Sequence, residues 1–278
     1  MIKAGVKQLQ ILSGSHHPAL AEAVAAKLGL KLQNVQLQKF ANSEIRCQLD
    51  ESVRGNDVFI IQSHSPSVND AIMEQAIMID AAKRASAKHI TAVCPFLGYA
   101  RQDRKATGRE PISARLVIDI LATAGAHRIV SIDLHSGQIQ GFFDGPFDHL
   151  TALPVLAEYL KKHFKQDLVI VSPDAGRVKV ADRYATKLSS GLAIIHKRRI
   201  RAGRAEALHV IGEVKDCHCV IVDDMIDTAS TMAPAAKLLK EKGAKSVSAI
   251  ATHGLFSGPA KARLEASNLD RLIYTSSP

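Results

Sequence analysis

Residues Val220–Met232 are VIVDDMIDTASTM, an apolar run followed by acidic and then hydroxyl-bearing residues. Three apolar β-branched residues, Val220, Ile221 and Val222, run directly into two carboxylates, Asp223 and Asp224. A strand that is apolar at successive positions is buried on both faces, as in parallel sheets covered by helices. Open sheets of that kind bind ligands at the C-terminal ends of their strands. At such an end the two carboxylates can hydrogen-bond sugar hydroxyls, directly or through Mg²⁺. The loop Asp227, Thr228, Ala229, Ser230, Thr231 can then wrap a monophosphate through backbone N–H groups and hydroxyls. A helix N-terminus beyond it adds positive potential. Pro234 is tolerated only in a first turn, so the helix is predicted to begin near Thr231 and to stop at Gly243.

The same texture recurs along the chain. Short runs rich in Val and Ile are predicted as strands at Leu9–Leu12, Val58–Gln62, Ile90–Cys94, Ile129–Asp133, Leu168–Val171, Ala193–Ile195 and Val247–Ala251. Helices are predicted between them. Over 67–86 the apolar stripe is Ile72, Met73, Ala76, Ile77 and Ala81. Over Ser113–Ala124 it is Leu116, Val117, Ile120 and Leu121, with Ser113 as N-cap and Gly125 as stop. Strands alternating with helices give parallel sheets. Periodicity fails and Gly, Pro and Asp gather over 141–154, which suggests two α/β halves, 1–148 and 149–278.

Composition narrows the classes. The 278 residues carry 46% hydrophobic residues, no Trp and only 4% aromatics, so aliphatic side chains must build the cores. No secretory signal and no membrane-length apolar run are evident. The four cysteines include one C-x-C pair, Cys217 and Cys219, which matches neither a zinc knuckle nor a redox pair; reduced thiols in a cytoplasmic protein are expected. The formal charge of +9 gathers in two clusters, one at Arg101, Arg104, Lys105 and Arg109, the other at Lys197, Arg198, Arg199, Arg201 and Arg204. Alone, such clusters read as solvated loops. No recognition helix or aromatic strand points to nucleic acid.

The segment Val220–Met232 resembles the phosphoribosyl-binding signature of type I phosphoribosyltransferases and ribose-phosphate diphosphokinases. Further strings choose between them: FANSE at Phe40–Glu44, GYARQDRK at Gly98–Lys105, REPISA at Arg109–Ala114, DLHSGQIQGFFD at Asp133–Asp144, SPDAG at Ser172–Gly176 and HKRR at His196–Arg199. In this order, over essentially the whole chain, they resemble ribose-phosphate diphosphokinase. A simple phosphoribosyltransferase leaves FANSE and YARQDRK unexplained.

The resemblance implies two phosphoribosyltransferase-like α/β domains, each a mainly parallel sheet flanked by helices. It implies transfer of the β,γ-diphosphate of ATP to ribose 5-phosphate with Mg²⁺, in a homo-oligomer of dimers that assemble into hexamers. For ATP it implies Phe40 as a stacking face, Asn42, Ser43 and Glu44 beside it, and Arg101 and Gln102 as phosphate and base contacts. His135 and Asp174 match the family's metal residues. Asp223, Asp224, Asp227, Thr228, Ala229, Ser230, Thr231 and Arg199 match its ribose 5-phosphate residues, and Lys197 and Arg199 its catalytic loop. The turn Asp174–Gly176 reads as a second anion cradle. Both substrates are polyanions, which accounts for both basic clusters. A non-catalytic relative would have lost metal or catalytic-loop residues, and His135, Asp174, Lys197 and Arg199 are all present.

The chain departs from the family twice. Ser230 stands where the family has Gly, which would strain the loop if that position needs a positive φ. Family members also continue past Pro278 through another strand and helix that complete a regulatory phosphate site, parts of which match Arg54, Arg109, Gln140 and Asp148.

Overall fold

The structure is a computed structural model that describes residues 8–199 and 206–278, and the side chains of 197–199 and 206–208 lie outside the described ones. It divides into two compact units, 1–150 with 277–278, and 151–276.

Unit 1 contains β1 (Leu9–Ser13), α1 (Pro18–Lys27), β2 (Leu32–Gln33), β3 (Val35–Lys39), β4 (Ile45–Leu49), β5 (Asp57–Ile61), α2 (Val68–Arg84), β6 (His89–Cys94), α3 (Ser113–Ala124), β7 (Arg128–Ile132) and β8 (Phe147–Leu150). Its main sheet runs β2-β1-β5-β6-β7-β8, with every pair parallel. β3 and β4 form a separate antiparallel hairpin. Ile60, Ile79, Ile90, Ile118 and Ile129 are buried at its core.

Unit 2 contains α4 (Leu153–His163), β9 (Leu168–Ser172), α5 (Val178–Leu188), β10 (Gly191–Arg199), β11 (Glu206–Ile211), β12 (His218–Ile226), α6 (Met232–Glu241), β13 (Ser246–Gly254), α7 (Ala260–Glu265) and β14 (Arg271–Thr275). Its sheet runs β11-β10-β9-β12-β13-β14, parallel except at the β10–β11 edge. Val171, Ile195, Ile221, Leu239 and Val247 are buried on one face of it, with α6 packed there. The α/β class read from the sequence, with mainly parallel sheets flanked by helices, is the observed one. Among the described residues no helix is long and apolar enough to cross a membrane.

Three local expectations are corrected. Ser113 is the first helical residue of α3 and not its cap; the cap position is Ile112, without a side-chain hydrogen bond. The Ser113 hydroxyl donates instead to Gln102 Oε1 at 2.7 Å. The stripe of α2 is rotated, because Met73 is 52% exposed while Glu74 and Gln75 are buried. Both polar side chains find hydrogen-bond partners inside, so the face they occupy can turn inward. Leu116 of α3 is 60% exposed, and the buried face runs through Ala114, Val117, Ile118 and Leu121.

Candidate active site

Topology locates a crevice in each sheet. In unit 2 the chain leaves β9 for β10 on one side and returns to β12 on the other, so the strand order reverses between β9 and β12. Ligands of open α/β sheets bind at such reversals, beyond the strand ends. Here the strand ends are Ser172, leading into Pro173–Arg177, and Asp223–Ile226, leading into Asp227–Thr231.

Arg177 ties the two together. Its Nε lies 3.1 Å from Asp223 Oδ1 and its Nη2 lies 2.8 Å from Asp224 Oδ1. The three side chains are 12%, 15% and 6% exposed. Burial, reinforced by the Asp224 charge, pushes the Asp223 carboxyl well above the ordinary carboxylate range, while Arg177 opposes the rise. Arg177 was not singled out in the sequence. It directly follows the SPDAG turn, and only the fold shows that it points at the paired carboxylates.

Asp174 shapes that turn. Its Oδ1 accepts from Gly176 N at 2.8 Å and Arg177 N at 3.1 Å, while Ser172 Oγ donates to the Asp174 carbonyl at 2.7 Å. The side chain thus caps the helical turn that delivers Arg177.

Around the loop Asp227–Thr231, Ile226 O accepts from Leu255 N and Phe256 N, Asp227 O accepts from Ser257 N, and Arg263 Nη1 donates to Thr228 O. Thr228 Oγ1 donates to Ser230 Oγ at 3.2 Å. α6 starts at Met232 with Pro234 inside its first turn, where a missing N–H costs nothing. The left-handed residue of the loop is Ala229, at φ 56°, and not Ser230. The departure at Ser230 therefore carries no backbone strain.

The corresponding reversal in unit 1, between β1 and β5, is filled by side chains. The buried Glu74 of α2 accepts from Ser15 N at 2.7 Å, from Ser15 Oγ, and from Gln62 Nε2 at 2.6 Å. Gln62 Oε1 accepts from His16 N. A Cβ on Gly14 would come within 2.2 Å of Gln62 Oε1, so glycine is needed for this close approach.

Unit 1 instead presents loops. FANSE is the tip joining β3 to β4: Phe40 N donates to Glu44 O, Ser43 N to Phe40 O, and Glu44 N to Asn42 Oδ1. Phe40 is 51% exposed, an aromatic face in solvent rather than in a core. Arg101 and Gln102 are also exposed. Both segments are anchored on adjacent residues at the start of α2. Lys39 Nζ pairs with Asp70 at 2.8 Å, and Tyr99 OH donates to Asn69 Oδ1 at 2.5 Å.

Behind the second segment lies the buried His64. Gly98 N donates to its Nδ1 at 3.1 Å, so the proton sits on Nε2, which donates to Gln75 Oε1 at 2.9 Å. Gln75 Nε2 donates onward to Ile60 O and Val93 O. Desolvation lowers the His64 pKa to about 4.

His135 lies past the end of β7, partly buried, in the segment before the turn at Gly137–Phe142. Lys197 and Arg199 belong to β10, which pairs with β11, but their side chains, like Arg201 and Arg204 as a whole, lie outside the described residues. Among the described residues no three His, Cys, Asp or Glu side chains converge as a ready metal cluster.

Comparison with known proteins agrees with this geometry. Residues 9–125 match the model of the N-terminal domain of ribose phosphate pyrophosphokinase, and residues 198–277 match that of the phosphoribosyl synthetase-associated domain. The ribose-phosphate pyrophosphokinase of Bifidobacterium longum is 53% identical over 275 residues, covering 97% of this chain and 81% of the relative. That of Streptomyces avermitilis is 54% identical over 274 residues, covering 98% and 85%. The crystal structure of phosphoribosylpyrophosphate synthetase from Mycobacterium smegmatis superposes with a TM-score of 0.93 at 51% identity, covering 98% of this chain and 89% of that one.

Proposed function

The chain belongs to the ribose-phosphate pyrophosphokinase family, and on that premise we propose that it transfers the β,γ-diphosphate of ATP to O1 of ribose 5-phosphate, giving phosphoribosyl diphosphate and AMP. The observation that carries the reading is the Arg177-bridged pair Asp223–Asp224 at the sheet reversal, followed by a hydroxyl-bearing loop into α6.

In this reading Asp223 and Asp224 take the ribose hydroxyls, and Arg177 holds the two carboxylates at a fixed separation. The 5-phosphate lies in the loop Asp227–Thr231, where backbone N–H groups, hydroxyls and the α6 N-terminus favour a dianion. Ala229 supplies the left-handed turn of that loop. Phe40 stacks on adenine, with Asn42, Ser43, Glu44, Arg101 and Gln102 supplying the polar contacts. The O1–Pβ bond forms as the bond from Pβ to the oxygen retained by AMP breaks, and the hydroxyl proton leaves O1. Charge spreads over the transferring oxygens, so catalysis is mainly positioning and electrostatic stabilisation. Lys197 and Arg199 act there, binding the transition state more strongly than the ground state.

The donors suit Mg²⁺. Asp174 spends only Oδ1 on its turn, and Mg²⁺ characteristically takes one or two carboxylates with waters and substrate phosphates. Asp174 in unit 2 and His135 in unit 1 are each proposed as metal residues, His135 through water. The cation would neutralise polyphosphate charge. The protein is further proposed to act in the cytoplasm as a dimer-based homo-oligomer of up to six chains.

The test is to mix protein, Mg²⁺, ATP and ribose 5-phosphate and follow phosphorus resonances. AMP and phosphoribosyl diphosphate appear together if the reading holds. ADP in place of AMP indicates an ordinary phosphoryl kinase, and no turnover indicates a non-catalytic relative.

A further inference from the structure

Unit 2 has a second cavity, of about 440 Å³, at the end of its sheet away from the carboxylates, where β9, β12, β13 and β14 begin. In register, His218 lies beside Ser246 and Ser248 beside Arg271. Side chains two apart on a strand share a face, so these four residues line one wall. Phe164, just past α4, closes a second wall: its ring centroid is 5.8 Å from that of His218 and 5.8 Å from Arg271 Cζ. Lys165 and Lys245 complete the rim.

Three observations point to a ligand. Lys165, Lys245 and Arg271 bring three positive charges to the cavity, and none of them makes a salt bridge among the described residues. Of the two carboxylates on the lining, Asp270 is already engaged by Lys240 Nζ at 2.8 Å and Val247 N at 2.6 Å, which leaves Asp167 as the other counter-charge. Finally, Ser248 is 1% exposed and its Oγ has no hydrogen-bond partner. Ser65 and Ser131 also carry buried hydroxyls without a partner, but of the three serines only Ser248 lines this cavity.

We propose that this cavity binds a small organic phosphate. A phosphate dianion supplies acceptors to the Ser248 hydroxyl and to the three cations, of which Arg271 already lies over the Phe164 ring and beside Asp270, and charge-assisted bonds of this kind are strong. The Phe164 and His218 rings, inclined at 57° to each other, offer apolar surface for its organic part. The cavity is separate from the proposed ribose 5-phosphate site. β12 runs from His218 here to Asp223 there, about 17 Å at the usual rise per strand residue.

Pyridoxal 5′-phosphate tests this on the full-length protein, because its aldehyde condenses with a lysine amine and borohydride then reduces the imine to a stable amine. Labelled lysines are mapped by peptide mass spectrometry, so labelling elsewhere, at Lys197 for instance, is scored separately. The expected result is labelling of Lys245 or Lys165 at least about tenfold above that by pyridoxal, which lacks the phosphate, with protection by glycerol phosphate. Arg271→Gln and Ser248→Ala should each lower that ratio several-fold. Equal labelling by pyridoxal and its phosphate, or no protection in the unaltered protein, would overturn the proposal.

Discussion

Replacing Arg177 by Met tests the organisation of the site most directly. The guanidinium bridges two carboxylates that are 15% and 6% exposed, and it is itself only 12% exposed. Removing one partner of a buried ionic cluster costs about 3–5 kcal/mol, because the remaining carboxylates stay desolvated without the cation that bridged them. The lower figure applies here, since Asp223 already has a raised pKa and can take up a proton. A loss of about 3 kcal/mol at pH 8 corresponds to a melting midpoint lower by roughly 10 °C for a unit of this size. The pH dependence has a definite sign. When a folded-state carboxyl pKa lies above the unfolded one, the folded chain holds more protons between the two values, and stability falls as pH rises through that window. Losing Arg177 raises the folded pKa further, so the deficit should be full at pH 8 and shrink as pH falls towards 5. Adding Asp223→Asn should restore part of the lost stability at pH 8, since it removes one of the two buried like charges that Arg177 had bridged. Calorimetric melts of the parent, the single variant and the double variant across this range provide the measurement. An Arg177→Met midpoint within 1 °C of the parent at pH 8, or a deficit that grows on acidification, would refute the reasoning.

Other outcomes follow from the same geometry. Phe40→Ala should raise the KM for ATP about five- to tenfold, the worth of one aromatic stack, with an unchanged melt because Phe40 is 51% exposed. Lys197→Ala should lower kcat at least about 100-fold, the scale of losing one electrostatic donor; near-normal turnover would remove Lys197 from the transition state. Ala229→Gly should raise the melting midpoint by relieving a left-handed alanine, whereas Ser230→Gly should not, since the positive φ is at 229; the two melts side by side decide it. His64, with its pKa lowered to about 4 by burial, binds its proton in the unfolded chain first, so its contribution is complete above about pH 6.5 and is lost as pH falls towards 4. That amounts to about 3 kcal/mol for a shift of this size, and His64→Gln should flatten the acid limb of the denaturation curve.

What a local string dictates was legible in the sequence. VIVDD reads as a buried parallel strand because three β-branched residues run together, and β12 forms there, but it carries on past the two carboxylates through Met225 and Ile226, which pair with β13. Pro234 forced the start of α6, and Gly125 and Gly243, both at positive φ, marked helix ends. Glu74 and Gln75 of α2 were not readable as buried, since periodicity assumes that polar residues face water. Their partners sit past strand ends outside the helix's own periodicity: Ser15 is 59 residues from Glu74, while Gln62 and His64 are 12 and 11 residues from Glu74 and Gln75. Ser113 looked like a cap for the same local reason, until Gln102 took its hydroxyl.

The alternation of strands and helices, the family strings and the placing of Asp223 and Asp224 towards a strand end were readable from the sequence alone, because these depend on neighbours within a few residues. Tertiary contacts alone set how two similar sheet reversals are furnished, with Glu74 bound to Ser15 and Gln62 at the one in unit 1 and Arg177 bridging Asp223 and Asp224 at the one in unit 2. They also decided that the positive φ falls on Ala229 and that Ser248 lies buried without a partner beside a basic cavity. Each of these depends on side chains that strand order brings together across long stretches of chain, and no local pattern encodes that order.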